Sequence, residues 1–267
     1  MASTIPHVSP PVDVVYRINR RGRTPFEPPD WEFAGDERKF AGRYDDPAGT
    51  SIPERYRFRT LYCGSTSAAS LGEIICGKGL CPDLETIARC KEAATQGVLP
   101  PELLTFRIVE EWRASRHIER ATLDATLRFA DIEADETLHI LRNVPHLAST
   151  ALDLIKHGKL QEFDRSALYG PHELTQYIAR YIYEQIDTSH RPKYDGIHFT
   201  SRLNNGWECW AIFDTRLQLK IATAEPILYD HPGLREAARV LHMPIEAPDG
   251  TLICPWLPDD ACGDEPS

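Results

Sequence analysis

Residues 61–75 constrain the fold more than any other part of the chain, because they read as a strand, a sharp turn and a helix in immediate succession. Residues 58–63 are predicted to form a short buried strand, which Gly64 ends. The Ser-Thr-Ser run at 65–67 can cap the helix that the small residues after it favour. Glu73 lies on this helix, directly before two isoleucines. The simplest alternative for its carboxylate is an exposed place on a solvated helix face.

Length and charge narrow the class of protein. With 267 residues, 42% of them hydrophobic, the chain can bury a full core as one large domain or as one domain with an insertion. Its formal charge of −10 argues against a general nucleic-acid binder, whose partner attracts Lys and Arg. No apolar run approaches the roughly 18 residues that cross a bilayer, and the N-terminus lacks the pattern of a signal peptide. We therefore expect a cytoplasmic protein without a nucleic-acid or membrane partner.

The cysteine pattern predicts reduced thiols. The seven cysteines form no CxxC pair, and no cluster of Cys and His has zinc-finger spacing, so no metal site is expected. An odd number of cysteines in a cytoplasmic chain favours free thiols, several of them in the core. Cys76 and Cys81 are close enough in sequence to meet, but the compartment argues against a functional disulfide.

The predicted elements mix strands and helices. Strands are expected at 12–18, 58–63, 104–112, 116–123, 196–201 and 208–213, with one or two more inside 217–228, and helices at 83–97, 135–144, 149–157 and 171–186. The Asn-Asn-Gly run at 204–206 is a strong hairpin signal. Because strands flank a helical middle, the pattern predicts an α+β fold. Prolines predict a flexible arm over 1–11 and a poorly ordered, acidic tail over 244–267.

Separated stretches of the chain combine into a recognisable order. They are Val-Tyr-Arg-Ile at 15–18 with Gly-Arg-Tyr at 42–44, then 61–73, then 196–202 with 210–213. Together they resemble the RES-domain family, which is named for an arginine, a glutamate and a serine. The resemblance implies a fold similar to ADP-ribosyltransferases, with a mixed β core and surrounding helices in a single catalytic domain over 12–243. Residues 77–104 then read as a helical insertion, and the connection 45–59 is longer than usual for the family.

The resemblance also implies a site and a substrate. Glu73 and Ser201 match the glutamate and the serine and are expected to be catalytic. Arg43 matches the arginine and Tyr62 a tyrosine of the central strand. These two are expected to bind NAD+, together with Arg17, a weaker match to a second arginine near the N-terminus. NAD+ is expected as a substrate, with no cofactor.

The chemistry of NAD+ cleavage suits these residue types. Breaking the bond between nicotinamide and ribose develops positive charge on the sugar, which a carboxylate such as Glu73 stabilises. The guanidinium of Arg43 matches the oxygens of a diphosphate. Tyr62 offers a flat face on which nicotinamide can stack, and Ser201 offers hydrogen bonds to the ribose or the amide.

Each candidate residue also has a purely structural alternative. Arg43 can be a surface ion-pair partner of the aspartates at 45–46, and such pairs stabilise little. Tyr62 can be plain core, since aromatic residues suit central strands. Ser201 can cap the turn that follows it. For Arg17 we consider the structural role the stronger one.

These expectations lead to several functional hypotheses. The first is an NAD+-consuming enzyme, a glycohydrolase if water attacks and a phosphorylase if inorganic phosphate does. The resemblance to toxins of toxin–antitoxin pairs adds an Xre-like antitoxin as a partner in trans. The alternatives are an ADP-ribosyltransferase acting on a macromolecule and a non-catalytic module that binds a nucleotide or a protein. The sequence does not determine oligomeric state, and a homo-oligomer stays open.

Overall fold

A mixed β-sheet with helices packed on it forms the centre of the molecule, which makes the fold α+β. The computed structural model describes residues 4–10, 14–77, 106–217 and 219–257, together with the single positions 86, 89 and 92. Within these residues the main sheet has eight strands in the order β1-β5-β6-β7-β3-β2-β4-β8. Its neighbouring strands are antiparallel except for β5 and β6, which run parallel.

The bounds of the strands agree with most of the predicted ones. The strands are β1 (His7–Val8), β2 (Val15–Arg20), β3 (Thr60–Gly64), β4 (Arg116–Leu123), β5 (Phe129–Asp131), β6 (Gly196–Thr200), β7 (Glu208–Phe213) and β8 (Leu219–Pro226), with β9 (Ile245–Glu246) and β10 (Leu252–Ile253) in a separate hairpin. The strand–turn–helix prediction for residues 58–75 is confirmed, and so is the hairpin between β6 and β7.

The helices cover one face of the sheet. They are α1 (Ser67–Gly77), α2 (Glu110–Ala114), α3 (Asp135–Arg142), α4 (Pro145–Lys156), α5 (His172–Tyr183) and α6 (Pro232–Leu241). A 3-10 turn at Arg165–Tyr169 joins α4 to α5, and Asp164 caps it as its side chain accepts from Ser166 N. In the part of the chain that is described, no helix combines the length and the apolar character needed to span a membrane.

Side-chain alternation along the strands divides the core into two parts. Successive residues of a strand point to opposite faces of the sheet. On the helix-covered face, Phe199 and Phe213 join buried residues of α1 and α5 in the larger cluster. On the other face, a smaller cluster contains Val15, Leu61, Cys63, Phe129, Trp210 and Ile212, under Phe26 of the loop after β2. Whether a residue stands at an odd or an even position in its strand, its parity, therefore decides which of the two core clusters its side chain joins.

The prediction of a strand over 104–112 is wrong for its described part. Ile108 forms only a single bridge with Ile245, and Glu110–Ala114 is a short helix with two glutamates in its first turn. The alternation that suggested a strand rested on Phe106 and Ile108, and two positions are too few to separate a strand from a loop. Of the predicted helix at 83–97, only positions 86, 89 and 92 are described, and all three are helical. The rest of this helix and nearly all of the insertion at 77–104 lie outside the described residues.

The predicted arm and tail both pack against the rest of the molecule where the structure describes them. In the arm, Ile5 is buried, its carbonyl accepts a 2.7 Å hydrogen bond from Tyr194 Oη, and β1 pairs with β5. In the tail, Ile245 and Cys254 are completely buried. The described parts of both segments therefore have long-range partners, which the local pattern of prolines does not reveal.

The prediction of reduced thiols holds for only some of the described cysteines. Cys63 and Cys209 are free and buried, whereas Cys76 and Cys254 are each disulfide-bonded. Burial raises the pKa of the Cys63 thiol to about 12 and keeps it protonated. The expectation of free thiols throughout is therefore wrong at positions 76 and 254. Cys76 lies one residue before the end of α1, the helix that carries Glu73.

Candidate active site

Glu73 and Ser201 meet in a short hydrogen bond. Ser201 Oγ donates to Glu73 Oε1 across 2.5 Å, although 128 residues separate the two in sequence. Ser201 is 1% exposed and Glu73 is partly buried. Among the described residues, the second carboxylate oxygen of Glu73, Oε2, has no hydrogen-bond partner. The carboxylate is therefore oriented through one oxygen and free to accept through the other, so the solvated-face alternative does not describe it.

The small residues of α1 bring Glu73 close to the sheet. Thr66 caps the helix, as its Oγ1 accepts from Ala69 N at 3.1 Å. Ser70 Oγ then donates to the carbonyl of Tyr16 on β2 at 2.7 Å. At Gly72 a Cβ atom would lie only 2.3 Å from the ring of Trp207. The absence of a side chain at this position lets the indole pack directly against the turn of α1 that carries Glu73.

Ser201 reaches the same place from the end of β6. Ile197, Phe199 and Ser201 are two residues apart, so their side chains point to the same face of the sheet, and the first two belong to the core cluster on the helix side. The backbone N of Ser201 donates to Trp207 O at 2.8 Å, and its Oγ accepts from Leu203 N at 3.1 Å. The serine therefore caps the following turn, as the structural alternative held, and also bonds Glu73.

Arg43 lies in a turn that is held from several sides. Gly42 N donates to Asp45 Oδ2 at 2.6 Å, and Gln176 of α5 donates to the carbonyls of Phe40 and Gly42 at 3.2 and 2.9 Å. At Gly42 a Cβ atom would stand 2.4 Å from Asp45 Oδ2, so this close turn needs glycine. These bonds all go to backbone groups around Arg43, and none of them uses its guanidinium.

Tyr62 holds the Arg43 turn through its hydroxyl. It accepts from Tyr44 N at 2.8 Å and donates to Asp45 Oδ1 at 3.3 Å. Burial raises the pKa of the Tyr62 phenol well above its ordinary value, so it stays protonated and able to donate. Burial likewise raises the pKa of Asp45, to about 6. The hydrogen bond from Gly42 N lowers this pKa, but burial has the larger effect.

The Arg43 guanidinium pairs with no described carboxylate, and a side-chain hydrogen bond from it helps to lower the pKa of the Tyr44 hydroxyl. Its Nε is buried without a hydrogen-bond partner, and its Cζ lies 5.7 Å from the centre of the Tyr169 ring. Among the described residues it forms no ion pair with Asp45 or Asp46; Asp46 instead pairs with Arg180 at 3.1 Å. The surface ion-pair alternative for Arg43 is therefore not what the structure shows.

Electrostatic effects on Tyr44 place Arg43 near the Glu73–Ser201 pair. The Tyr44 hydroxyl is buried and donates to Leu168 O at 3.0 Å. Burial raises its pKa above the ordinary value, and the nearby Arg43 guanidinium opposes the rise. The carboxylates of Glu133 and Glu73 add to it. The charges of Arg43, Glu133 and Glu73 are therefore all close enough to act on this hydroxyl.

Arg17 is not part of this cluster. It shares the parity of Val15 on β2 and so points to the opposite face of the sheet. There its Nη1 pairs with the fully buried Glu119 at 3.3 Å and donates to Glu27 O at 3.0 Å. Asn19 also donates to Glu119, at 2.9 Å. These contacts match the structural role that the sequence favoured for Arg17.

Sequence reasoning missed three neighbours of the site: Tyr169, Gln176 and Glu133. Gln176 lies on the clearly predicted α5 helix, but its polar partners come from a loop more than 130 residues earlier. Glu133 follows β5, a strand of three residues that no pattern marked. Recognising that β5 and β6 run parallel and end at the same edge of the sheet would have placed Glu133, which follows β5, near Ser201, which follows β6. Within the described residues, no group of three His, Cys, Asp or Glu side chains is placed to hold a metal ion.

Comparison with known families fits this arrangement. The model of the RES domain matches residues 14–230. The chain belongs to the RES-domain family. The matched range contains Arg43, Glu73 and Ser201, which resemble the arginine, glutamate and serine of the family name, and it stops short of α6.

Other comparisons add little to the RES-domain assignment. No curated protein matches the chain. Among solved structures, the chain is similar to one in the crystal structure of the M. tuberculosis MbcT-MbcA toxin-antitoxin complex, with a TM-score of 0.38 and 12% sequence identity over 82% of this chain and 87% of that chain. Similarity at this level carries no argument about function.

Proposed function

We propose that this RES-domain protein consumes NAD+ by cleaving the bond between nicotinamide and ribose. It is a glycohydrolase if water is the acceptor and a phosphorylase if inorganic phosphate is. The observation that supports the proposal most is the 2.5 Å bond from Ser201 Oγ to Glu73 Oε1. The charges of Glu73 and of the Arg43 guanidinium both act on the Tyr44 hydroxyl. Family membership supports the same reading. We expect the cytoplasm, where NAD+ is available, as the place of action.

In the proposed reaction the electron pair of the C–N bond leaves with nicotinamide, whose ring becomes neutral. Positive charge develops on the ribose, and an oxygen of water, which loses a proton, or of phosphate forms the new bond to the same carbon. Glu73 stabilises this charge and accepts from ribose hydroxyls through Oε2. Ser201 holds the carboxylate in orientation, so that little reorganisation is needed as charge develops.

The remaining residues bind and orient the substrate. The guanidinium of Arg43 provides donors for the diphosphate, and its turn is held independently of the ligand. The sequence analysis predicts that nicotinamide stacks on Tyr62, but the Tyr62 hydroxyl is bonded to the Arg43 turn. We therefore assign Tyr62 to positioning Arg43 and offer Tyr169, whose ring lies beside that guanidinium, as the aromatic surface of the site.

The test is nicotinamide release from NAD+ by the purified chain, with and without inorganic phosphate. Glu73→Gln is expected to lower kcat about 100-fold or more, because it removes the charge that stabilises the cation. Ser201→Ala is expected to lower kcat about tenfold, the worth of one hydrogen bond to a charged group. Glu136→Gln is the matched control, since Glu136 is exposed on α3 and bonds no described residue.

Three outcomes would redirect the proposal. Release that survives Glu73→Gln unchanged would remove the carboxylate from the mechanism. No release with either acceptor, together with NAD+ binding by calorimetry, would favour a non-catalytic nucleotide-binding module. If labelled ADP-ribose appears on an added protein, the chain is instead an ADP-ribosyltransferase.

A toxin role is proposed with the same site. The family resemblance extends to toxins that an Xre-like antitoxin neutralises in trans. Expression of the wild-type chain is then expected to arrest growth and deplete NAD+, and Glu73→Gln is expected to relieve both effects. Unimpaired growth with depleted NAD+ would argue against a toxin while leaving the chemistry intact.

A further inference from the structure

Glu133 occupies a place that the sheet leaves open beside the candidate site. Strands β5 and β6 run parallel with Asp131 opposite His198, and the ladder continues one step further through Ile132 N, which donates to His198 O at 3.3 Å. Beyond that point β5 has ended, and the N–H of Thr200 needs another acceptor. Glu133 Oε1 provides it at 2.9 Å. The Glu133 carboxylate thus replaces a backbone carbonyl as the hydrogen-bond acceptor for β6, one residue before Ser201.

The second oxygen of Glu133 connects to another part of the site. Oε2 pairs with Arg165 Nη1 at 3.4 Å. Arg165 begins the 3-10 turn that ends at Tyr169, the ring beside the Arg43 guanidinium. The Tyr44 hydroxyl donates to Leu168 O within the same turn. Glu133 therefore contacts both the strand end that leads to Ser201 and the turn that faces Arg43.

The two links differ in strength. Half of the Arg165 side chain is exposed, and it also pairs with Asp135 at 2.6 Å, so its bond to Glu133 contributes little. The bond to Thr200 N is a charge-assisted one at the end of a strand and has no competing acceptor among the described residues. Glu133 thus acts mainly through Thr200.

We propose that Glu133 is a positioning residue of the site, and that its hydrogen bond to Thr200 N fixes the strand end from which Ser201 orients Glu73. This inference deepens the proposed NAD+ cleavage and rests on it for its kinetic part. Arg43 is held separately, by Tyr62 and Gln176. Loss of the Glu133 bond is therefore expected to act on the chemical step more than on substrate binding.

The test compares Glu133→Ala, Glu133→Gln and the control Glu136→Gln. Glu133→Ala is expected to lower kcat about 10- to 100-fold and to change KM less than about threefold, because it misplaces the reacting groups without touching the Arg43 turn. Glu133→Gln is expected to recover most of kcat, because its amide oxygen can accept from Thr200 N. The control is expected to match the wild-type chain.

Hydrogen–deuterium exchange gives a readout that needs no activity. In Glu133→Ala the amide of Thr200 is expected to exchange about tenfold faster or more, whereas Glu133→Gln and the control stay near the wild-type rate. Unchanged exchange and unchanged kcat in Glu133→Ala would overturn the inference. So would a Glu133→Gln variant as impaired as Glu133→Ala, since the charge and not the hydrogen bond would then act. A wild-type chain that releases no nicotinamide refutes the proposed function instead, and the exchange result alone then decides on Glu133.

Discussion

Removing the hydroxyl of Tyr62 separates two roles for this residue. Tyr62→Phe keeps the ring, on which nicotinamide would stack in the role expected from the sequence. It deletes only the oxygen that accepts from Tyr44 N and donates to Asp45 Oδ1. A stacking residue would tolerate this change, whereas a residue that positions the Arg43 turn would not.

The expected loss in the free energy of unfolding follows from the two groups that lose a hydrogen-bond partner. Tyr44 is completely buried, so its N–H would be left without an acceptor, and the 5% exposed Asp45 would lose a donor. Leaving a buried polar group unpaired destabilises by about 1–3 kcal/mol. We expect about 2–4 kcal/mol for both, which lowers Tm by about 5–12 °C in a domain of this size. Because the displaced turn carries Arg43, KM for NAD+ is expected to rise about tenfold.

Thermal unfolding followed by circular dichroism and KM from nicotinamide release measure the two effects. Tyr177→Phe is the matched control: this tyrosine is 44% exposed on α5, and its hydroxyl bonds no described residue. If Tyr62→Phe equals the wild-type chain in both Tm and KM, the hydroxyl does not hold the turn. The ring would then be the functional part of Tyr62.

Two further predictions concern the same site. Burial sets the pKa of Asp45 at about 6 against 3.8 for the free side chain, so its contribution to stability is complete below about pH 4 and lost as the pH rises through 6. The free energy of unfolding of the wild-type chain, minus that of Asp45→Asn, should fall by about 2 kcal/mol between pH 4 and 7 in denaturant titrations; a constant difference would contradict this. Gly72→Ala places a Cβ within 2.3 Å of the Trp207 ring. It should destabilise the fold by about 1–3 kcal/mol and lower kcat, because the displaced helix turn carries Glu73. Unchanged Tm and kcat would show that the indole moves aside freely.

Elements with local signals were predictable from the sequence. The strand, the cap and the helix around Glu73 follow from a buried run, Gly64 and the hydroxyl residues after it, and Thr66 is the one that caps. The α5 helix and the β6–β7 hairpin follow from strong periodicity and an Asn-Gly turn. In each case the deciding interactions lie within a few residues of each other, where patterns carry information.

Elements that depend on distant partners were not predictable. The prolines after position 243 suggested poor order, yet Ile245 bridges to Ile108 and is completely buried. Glu133 looked like any exposed acid, because its partner Thr200 lies 67 residues away on a strand whose neighbour ends early. The family resemblance assigned both Arg17 and Arg43 to NAD+ binding, and only the parity of β2 shows that Arg17 faces the other core.

The way the chain distributes its hydrogen bonds around Arg43 argues for a binding site and against a structural one. A structural arginine pairs the terminal nitrogens of its guanidinium, as Arg180 does with Asp46 and Arg113 does with the carbonyls of Ile227 and Glu246. Around Arg43 the backbone is held by Asp45, Tyr62 and Gln176, so the turn is stable without the side chain. The Nε of Arg57 and that of Arg113 are buried and unpaired like the Nε of Arg43, so this nitrogen alone does not mark a ligand site. What distinguishes Arg43 is that its guanidinium meets no carboxylate or backbone carbonyl of the described residues, which leaves it able to pair with an anionic ligand.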